Sequence, residues 1–306
     1  MAYFLGVDGG ASKTSCVVGD ERTVLAHATA GSSNPTRVGE ARAQESLAAS
    51  IVQACTAAGI SPSQIKSTCV GAAGSDRERV RLPLQKFVRT VVSGDVQVVG
   101  DMTIALQAAF GEGAGVILVA GSGSIAYGRN SAGETARAGG WGFAISDEGS
   151  GYWIGKKAIT ACLRASDEGG HGGSKLLAVL MKSLGADTRE QLILRANASP
   201  SPDFASLFPT VLAAADSGDP IARAVLQAAA EELGGLALVV LKRLFRDAQK
   251  VSLAMSGGVF GNCAFVRQVF YNYLLSEFPA ACVSETVVEP VLGALALARK
   301  QTQSVE

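Results

Sequence analysis

The chain begins with two short apolar runs separated by a polar, glycine-rich turn. Residues 3–7 and 14–18 flank this turn at 8–13, and their order predicts a β-hairpin whose second strand returns antiparallel to the first. A third strand is predicted to begin near Thr23, after the turn signal at 19–21. The chain is therefore expected to open with three antiparallel strands.

Strands and helices alternate after this start. Apolar runs at 67–73 and 96–100 predict two further strands. Helical spacing of apolar residues predicts helices over 39–59, 77–92 and 102–111. Together these elements indicate a mixed sheet with helices on its faces.

The same plan restarts at Val116. Residues 116–138 repeat the order found in residues 3–28, which is an apolar strand, a glycine turn, a second strand and a polar hairpin. Two similar hairpins can arise by chance in a glycine-rich α/β protein, but both copies open a domain-sized segment, which favours a duplication.

Helical spacing dominates the region from 151 to 250. Polar, glycine-rich or proline-rich stretches interrupt it at 167–174 and 199–203. A strand is predicted at 251–255, and a helix that starts with Pro290 is predicted near the end of the sequence.

Length and composition narrow the class of protein. A chain of 306 residues exceeds the size of a typical single core and predicts two domains, and its 48% hydrophobic content supports a large core. Lys plus Arg and Asp plus Glu both total 27, so no net charge draws the chain to nucleic acid or to an anionic membrane. With no leader-like segment and no run of 18 apolar residues, we expect a soluble cytoplasmic protein that binds a small molecule.

The cysteines and histidines argue against a metal or thiol enzyme. The six cysteines are scattered without a CxxC pair and most lie beside apolar residues, which predicts buried free thiols. Only His27 and His171 are present, which disfavours a histidine metal site or a serine triad. Acid–base chemistry is therefore expected from carboxylates.

The first turn, in the stretch GVDGGASKT, raises the question of a phosphate loop. A P-loop requires glycine before the lysine and a helix afterwards, whereas here Ser12 precedes Lys13 and a strand follows. Amides of a β-hairpin turn can also face a phosphate. From this stretch alone, an ordinary hairpin and a phosphate turn are equally favoured.

Two further glycine turns follow predicted strands, at Gly121-Ser122-Gly123 and at Gly257-Gly258. In addition, Asp101 ends the strand at 96–100 and precedes a helix, which places its side chain at the edge of the sheet. An Asp at this position either caps the helix or serves as a general base, and the two roles are compatible.

The order of these turns resembles the superfamily of sugar kinases, actin and Hsp70 ATPases. Within it the sequence is most similar to the BadF/BadG/BcrA/BcrD ATPase family, and especially to its N-acetylglucosamine kinases. The segments that carry the resemblance span nearly the whole chain, and GGWGFAISDEGSGYWIG is the most specific: GVDGGASKT, SSNPT, GDMTIALQAA, LVAGSGSIAYG, GGWGFAISDEGSGYWIG, SGGVF and EPVLGALALA.

The resemblance implies a fold and a reaction. It implies an α/β fold of two duplicated ribonuclease H-like (actin-like ATPase) domains around a central cleft. An N-terminal domain is expected at 1–113, with the helix at 291–306 packing back on it, and a C-terminal domain at 114–290. The implied activity is the ATP-dependent phosphorylation of the 6-hydroxyl of N-acetylglucosamine, with ATP and Mg²⁺ as cofactors.

The resemblance also implies roles for individual residues. Asp101 matches the catalytic base, and Asp8 matches the position that holds Mg²⁺ through water. The positions that match the ATP site are Gly9, Gly10, Ser12, Lys13, Gly121, Ser122, Gly123, Gly257 and Gly258, the last two beside the adenosine. The positions that match the sugar site are Asn34, Asp101, Trp141, Gly142 and Asp147. Glu148 receives no separate role, and Trp141 without its motif would be read as a core residue.

Several alternatives stay open. They are a glucosamine or other hexose kinase of the same family, an ATPase that activates a dehydratase through a [4Fe–4S] cluster, and a non-catalytic sugar sensor. Cys162 and Cys263 are the cysteines to consider for a cluster, but they stand apart from glycine-rich cluster motifs. Asp8 and Asp101 together favour an enzyme. No nucleic-acid or membrane partner is expected, and a homodimer is left open.

Overall fold

A computed structural model describes residues 2–169, 175–246 and 249–301. The chain divides into two compact units. Unit 1 comprises the described residues up to Gly113 together with those from Val288 onward, and unit 2 comprises Ala114–Val287. The predicted interruption at 167–174 falls mostly outside the described residues, as do His171 and the last five residues of the predicted C-terminal helix.

Unit 1 is built on a five-stranded sheet with the order β3-β2-β1-β4-β5. The first three strands are antiparallel neighbours, and β1, β4 and β5 run parallel to one another. This confirms the predicted antiparallel start followed by strand–helix alternation. The strands are β1 Tyr3–Gly9, β2 Thr14–Gly19, β3 Val24–Ala30, β4 Ile65–Ala72 and β5 Asp95–Gly100.

Helices cover both faces of this sheet. One face carries a core of apolar side chains that includes Leu5, Leu47 and Ile51, and the other carries a core that includes Phe4, Ile104 and Leu295. The helices of the first part of the chain are α1 Pro35–Val38, α2 Glu40–Ala57, α3 Glu78–Val91 and α4 Asp101–Phe110, with a 3₁₀ turn at Pro62–Gln64.

The last helix, α12 Pro290–Gln301, packs against β1 and α4 of unit 1. Two glycines allow the close approach. A Cβ at Gly6 would lie 2.4 Å from the Leu295 backbone nitrogen, and a Cβ at Gly293 would lie 2.0 Å from the Ile104 carbonyl oxygen. The Arg299 guanidinium donates to the carbonyl oxygens of Asp20 and Thr23 at 2.8 and 2.7 Å, which fixes the end of α12 to the β2–β3 turn.

Unit 2 repeats the sheet of unit 1. Its order is β10-β9-β6-β7-β8, so that β6 to β10 occupy in turn the places that β1 to β5 occupy in unit 1. The β6–β7 and β7–β8 pairs are antiparallel, and β9 runs parallel to β6. This repeated topology supports the predicted duplication. The strands are β6 Gly115–Ala120, β7 Ser124–Arg129, β8 Thr135–Gly139, β9 Val251–Ser256 and β10 Ala281–Val288.

The helical region of unit 2 forms a single large core with this sheet. Among the described residues, the 25-residue helix α9 has the length and apolar composition to cross a membrane, and 56% of its most apolar window is buried. It packs against α5, α8 and α11, which is the environment of a core helix. The helices are α5 Gly151–Asp167, α6 Lys175–Ser183, α7 Arg189–Ala196, α8 Phe208–Asp216, α9 Pro220–Leu244, α10 Gly258–Asn262 and α11 Ala264–Glu277, with a 3₁₀ turn at Phe204–Leu207.

Candidate active site

Two predicted acidic residues meet at the carboxyl edge of the unit 1 sheet. Asp8 is the next-to-last residue of β1, and Asp101 is the first residue of α4, directly after β5. Because β1, β4 and β5 are parallel, their carboxyl ends share one edge of the sheet. The Asp101 carboxylate accepts a hydrogen bond from the Met102 N–H at 3.0 Å, so it lies at the start of the helix as predicted.

The environment of Asp8 disfavours its negative charge. Burial raises the pKa of Asp8 from 3.8 to about 6, and the negative charge of Asp101 raises it further, while Lys13 opposes both. A carboxylate pair with this mutual repulsion is stabilised by a cation. The two predicted acids therefore act on each other at this edge of the sheet.

The first glycine turn follows β1 directly. The Gly10 N–H donates to the Lys13 carbonyl at 3.0 Å, and the side chains of Ser12 and Lys13 are exposed. A Cβ at Gly10 would lie 2.6 Å from the Lys13 carbonyl oxygen, so the turn itself requires glycine there. This gives Gly10 a structural role in addition to its predicted place in a phosphate site.

Asn34 lies at the N-cap of α1, beside the turn. Its Oδ1 accepts from the Thr36 N–H at 3.0 Å, and its own N–H donates to the Ser32 Oγ at 3.1 Å. The Ser32 Oγ in turn donates to the Gly10 carbonyl at 3.3 Å. Asn34 and the first turn are thus joined through one buried serine.

Sequence reasoning missed three polar residues near this edge. Ser32 and Arg37 both reach the first turn, Arg37 through a 3.5 Å hydrogen bond from Nη1 to the Ser12 Oγ. The Asp76 carboxylate lies where a side chain at Gly100 would project, with Oδ1 2.8 Å from the position of a Cβ. The signal for Asp76 was available, because it closely follows β4 and strand ends are where polar site residues collect.

The two glycine turns of unit 2 lie against each other at the end of β6. A Cβ at Gly257 would lie 2.4 Å from the Ala120 carbonyl oxygen and 3.0 Å from the Gly121 nitrogen. The Gly121 N–H donates to the Gly123 carbonyl at 2.9 Å, and the Gly121 carbonyl accepts from the Gly151 N–H at 2.8 Å. The predicted phosphate turn at Gly121–Gly123 and the predicted adenosine turn at Gly257–Gly258 are therefore neighbours. Ser122 lies between the two glycines of the phosphate turn.

Asp147 lies beneath the same turn. Its side chain is 7% exposed, and a Cβ at Gly123 would lie 2.8 Å from its Oδ2. Burial raises the pKa of Asp147, the backbone N–H groups of Ser124 and Gly142 oppose this by donating to it, and the charge of Glu148 raises it. Asp147 also has a φ of +70°, an uncommon backbone conformation that tends to mark functional positions.

Trp141 is a surface residue. It is 65% exposed, and the Arg137 guanidinium lies 4.2 Å from the centre of its ring. The interpretation of Trp141 as a core side chain is therefore wrong. An exposed indole face is suited to stacking on a ligand.

The cysteines do not form a metal site in the described part of the chain. Five of the six are buried and Cys282 is exposed, which confirms buried thiols for most of them. Cys263 caps α11 by accepting from the Val266 N–H. No group of three or more His, Cys, Asp or Glu side chains that could enclose a metal occurs among the described residues.

This donor set still fits Mg²⁺. Magnesium typically keeps several waters and uses one or two carboxylates together with phosphate oxygens, so it needs no complete protein cage. Asp8 offers one half-buried carboxylate whose ionised form a nearby cation would favour.

Comparisons with known proteins identify related sequences over almost the whole chain. The profile of the BadF/BadG/BcrA/BcrD ATPase family matches residues 5–298. An N-acetylmuramic acid/N-acetylglucosamine kinase of Clostridium acetobutylicum is 32% identical, with 98% of this chain and 99% of that protein covered. An N-acetyl-D-glucosamine kinase of Dictyostelium discoideum is 31% identical, with 96% and 97% covered.

Solved structures show the same fold. A ROK family glucokinase of Streptomyces griseus, solved with glucose and AMPPNP, matches with a TM-score of 0.65 at 19% identity, over 98% of this chain and 100% of that chain. At this identity the match establishes the fold alone. It confirms the expected actin-like ATPase class of α/β fold.

Proposed function

Since the chain belongs to the BadF/BadG/BcrA/BcrD ATPase family, we propose that it is an ATP-dependent kinase that phosphorylates the 6-hydroxyl of N-acetylglucosamine. Two relatives matched over nearly their full lengths carry the name of N-acetylglucosamine kinases. The structural observation that supports the proposal most is the pairing of Asp8 with Asp101 at one sheet edge, directly beside the first glycine turn.

Asp101 is the general base of the proposed reaction. Its carboxylate accepts the proton of the 6-hydroxyl as that oxygen attacks the γ-phosphorus, and the bond from phosphorus to the β,γ-bridging oxygen breaks to release ADP. The start of α4 fixes the carboxylate, because Asp101 is the first residue of the helix and accepts from the Met102 N–H.

Glycine turns hold the nucleotide in this proposal. We assign the phosphates to the turns that contain Gly9, Gly10, Ser12, Gly121, Ser122 and Gly123, with Lys13 as a cation, and the adenosine to Gly257 and Gly258. The N–H groups of Gly10 and Gly121 close these turns, so the other amides and the hydroxyls of the turns are the ones assigned to the phosphates. Asp8 would hold Mg²⁺ through water, and the metal would neutralise charge on the phosphates.

The sugar site combines hydrogen-bonding groups and one aromatic face. We assign Asn34, Asp101, Gly142 and Asp147 to the ring hydroxyls and the acetamido group, and Trp141 to an apolar face of the sugar. Carboxylates accept hydrogen bonds from hydroxyls, and the Asn34 amide also donates. The protein is proposed to be cytoplasmic and to act on small molecules without a nucleic acid or membrane partner.

The other candidate functions receive less support. Cys162 and Cys263 are both fully enclosed in the core of unit 2, where a cluster shared with another subunit would be out of reach. A sensor would not require a carboxylate pair at the sheet edge. Glucosamine and glucose differ from N-acetylglucosamine only in the substituent at carbon 2, so they belong in the experimental test with other hexoses.

The test is a coupled ADP-release assay over a panel of sugars. The panel contains N-acetylglucosamine, glucosamine, glucose and N-acetylmuramic acid, and 6-deoxy-N-acetylglucosamine is the matched control because it lacks the accepting hydroxyl. We expect N-acetylglucosamine to stimulate ADP release and the 6-deoxy sugar to leave the rate at its basal value. ADP release that no sugar alters would refute the proposal.

A further inference from the structure

Segment 32–37, with the sequence SSNPTR, connects the proposed sugar residue Asn34 with the first glycine turn. Asn34 lies at the start of α1, and its carbonyl oxygen accepts from the Arg37 N–H at 3.0 Å. The segment and the turn both belong to unit 1. They are therefore parts of one compact body, and hydrogen bonds between them transmit a displacement of one to the other.

The side chains of Ser32 and Arg37 make connections of this kind. Ser32, which is 8% exposed, accepts from the Asn34 N–H and donates to the Gly10 carbonyl, so both of its contacts lie on the direct path between sugar residue and turn. Arg37 makes a second connection, from the other end of α1, through its hydrogen bond to the Ser12 Oγ. Neither residue was assigned a role from the sequence.

We propose that Ser32 and Arg37 are positioning residues that couple sugar binding to nucleotide binding within unit 1. This inference depends on the proposed function, because it takes Asn34 as a sugar contact and residues 9–13 as a phosphate contact. A sugar held by Asn34 fixes segment 32–37, and the Ser32 and Arg37 connections then fix the turn in the form that receives the phosphates. The second ligand meets a site that is already ordered, so each ligand binds more tightly when the other is present than when it is absent.

Thermodynamic linkage makes this coupling measurable. The factor by which sugar tightens nucleotide binding equals the factor by which nucleotide tightens sugar binding. The coupling factor also distinguishes a loss of the connection between the two sites from a general loss of affinity in a destabilised variant. A variant that merely loosens the fold weakens both ligands and leaves the factor unchanged, whereas loss of the connection reduces the factor itself.

The experiment measures by calorimetry the affinity for Mg²⁺ and the non-hydrolysable analogue AMPPNP, with and without a saturating sugar that the panel has identified as a substrate. The variants are Ser32→Ala and Arg37→Met. The matched controls are Ser93→Ala, an exposed serine between α3 and β5 of unit 1, and Arg42→Met, an exposed arginine on α2. Arg37→Lys tests rescue, since lysine keeps the charge and a donor.

We expect the sugar to tighten nucleotide binding by about 5-fold or more in the unmodified protein, within the usual range for coupled sites. Ser32→Ala and Arg37→Met should each reduce that factor by about 2-fold or more towards one, as expected for the loss of one ordinary hydrogen bond. The two controls should keep the full factor, and Arg37→Lys should recover part of it.

Two kinds of failure are distinguishable. Sugar-dependent ADP release with a coupling factor near one, or with the same factor in all variants, overturns the coupling and leaves the kinase proposal standing. If no sugar of the panel stimulates ADP release, the proposed function fails and the coupling inference fails with it.

Discussion

Replacing Asp8 with asparagine is expected to stabilise unit 1 at neutral pH, although it removes a residue proposed for catalysis. The pKa of Asp8 lies at about 6, compared with its ordinary value of 3.8, chiefly because of burial and secondly because of Asp101. A carboxyl group whose pKa is raised by folding binds its proton more tightly in the folded state. Its contribution to stability is therefore complete below pH 4 and is lost as the pH rises through 6.

The size of the effect follows from the two pKa values. Each pH unit of difference corresponds to about 1.4 kcal/mol, so ionised Asp8 costs unit 1 on the order of 3 kcal/mol above pH 7. Asparagine carries no charge and avoids this cost. The advantage of Asp8→Asn should be close to zero at pH 3, about 1 kcal/mol at pH 4.5 and greatest above pH 7.

The assay must report on unit 1 rather than on the whole chain. Both tryptophans, Trp141 and Trp153, belong to unit 2, so tryptophan fluorescence follows the wrong half of the protein. Hydrogen exchange measured by mass spectrometry on peptides from β1 and β2 reports the opening of unit 1 directly. Measurements without nucleotide at several pH values between 4 and 8 would give the free energy of opening for each form.

Asp20→Asn is a matched control for which the expected change in stability at neutral pH has the opposite sign. The Asp20 carboxylate accepts hydrogen bonds from the N–H groups of Thr23 and Arg22, which hold its pKa below the ordinary value. Asp20→Asn should therefore lower stability at neutral pH, and the difference should fade as the pH falls. An Asp8→Asn advantage that does not change between pH 4 and pH 8, or a variant less stable than the parent at pH 8, would refute the argument for Asp8.

Three further substitutions test the site and the packing. Asp101→Asn should lower turnover by about 100-fold or more while AMPPNP affinity stays near that of the parent, and normal turnover would remove Asp101 from the mechanism. Gly121→Ala should weaken nucleotide binding without unfolding the protein, because no atom outside the adjoining residues lies within 4 Å of the added Cβ. Gly235→Ala adds a Cβ at an equally open position and is the control. Equal AMPPNP affinity in the two variants would count against a phosphate turn. Gly293→Ala should destabilise the protein by about 1–3 kcal/mol or more in urea unfolding, since its Cβ would overlap the Ile104 carbonyl oxygen, and an unchanged midpoint would show that α12 can shift freely.

Local sequence patterns predicted much of the fold because the inner strands are apolar and buried. The first hairpin, β4, β5 and α4 occur within a few residues of their predicted bounds. The strand β10 was missed, and its burial explains why. Most of its side chains are exposed or half-buried, and Ser284, Glu285 and Thr286 in the middle give no alternation of apolar and polar residues. The alternation of apolar and polar residues reflects the burial of side chains, and few side chains of β10 are buried.

The part of the candidate site that sequence reasoning missed depends on contacts between distant segments. Ser32 reaches Gly10 and Arg37 reaches Ser12 only after β1, β2 and β3 have paired. Asp76 reaches Gly100 because the parallel register aligns Ala72 with Gly100 at the ends of β4 and β5. The helix α1 buries no side chain, so apolar spacing could not reveal it. Its signals were the Asn34 cap and Pro35, which predict a helix start but not its length.

The duplicated sheets place acids in two different electrostatic environments. Asp8 belongs to β1 itself, where burial and then the charge of Asp101 raise its pKa while Lys13 lowers it, so its ionised form gains from a cation. Asp147 comes from a loop outside the strands of unit 2, where burial raises its pKa and the N–H groups of Ser124 and Gly142, which donate to its carboxylate, partly offset this, while the charge of Glu148 raises it. An acid whose negative charge is disfavoured by a second carboxylate is suited to a metal, whereas a carboxylate oriented by backbone N–H groups is suited to accept a hydrogen bond from a hydroxyl group. The two sheets have the same strand order, but the residues around each carboxylate differ. Asp8 and Asp147 are therefore suited to different chemistry.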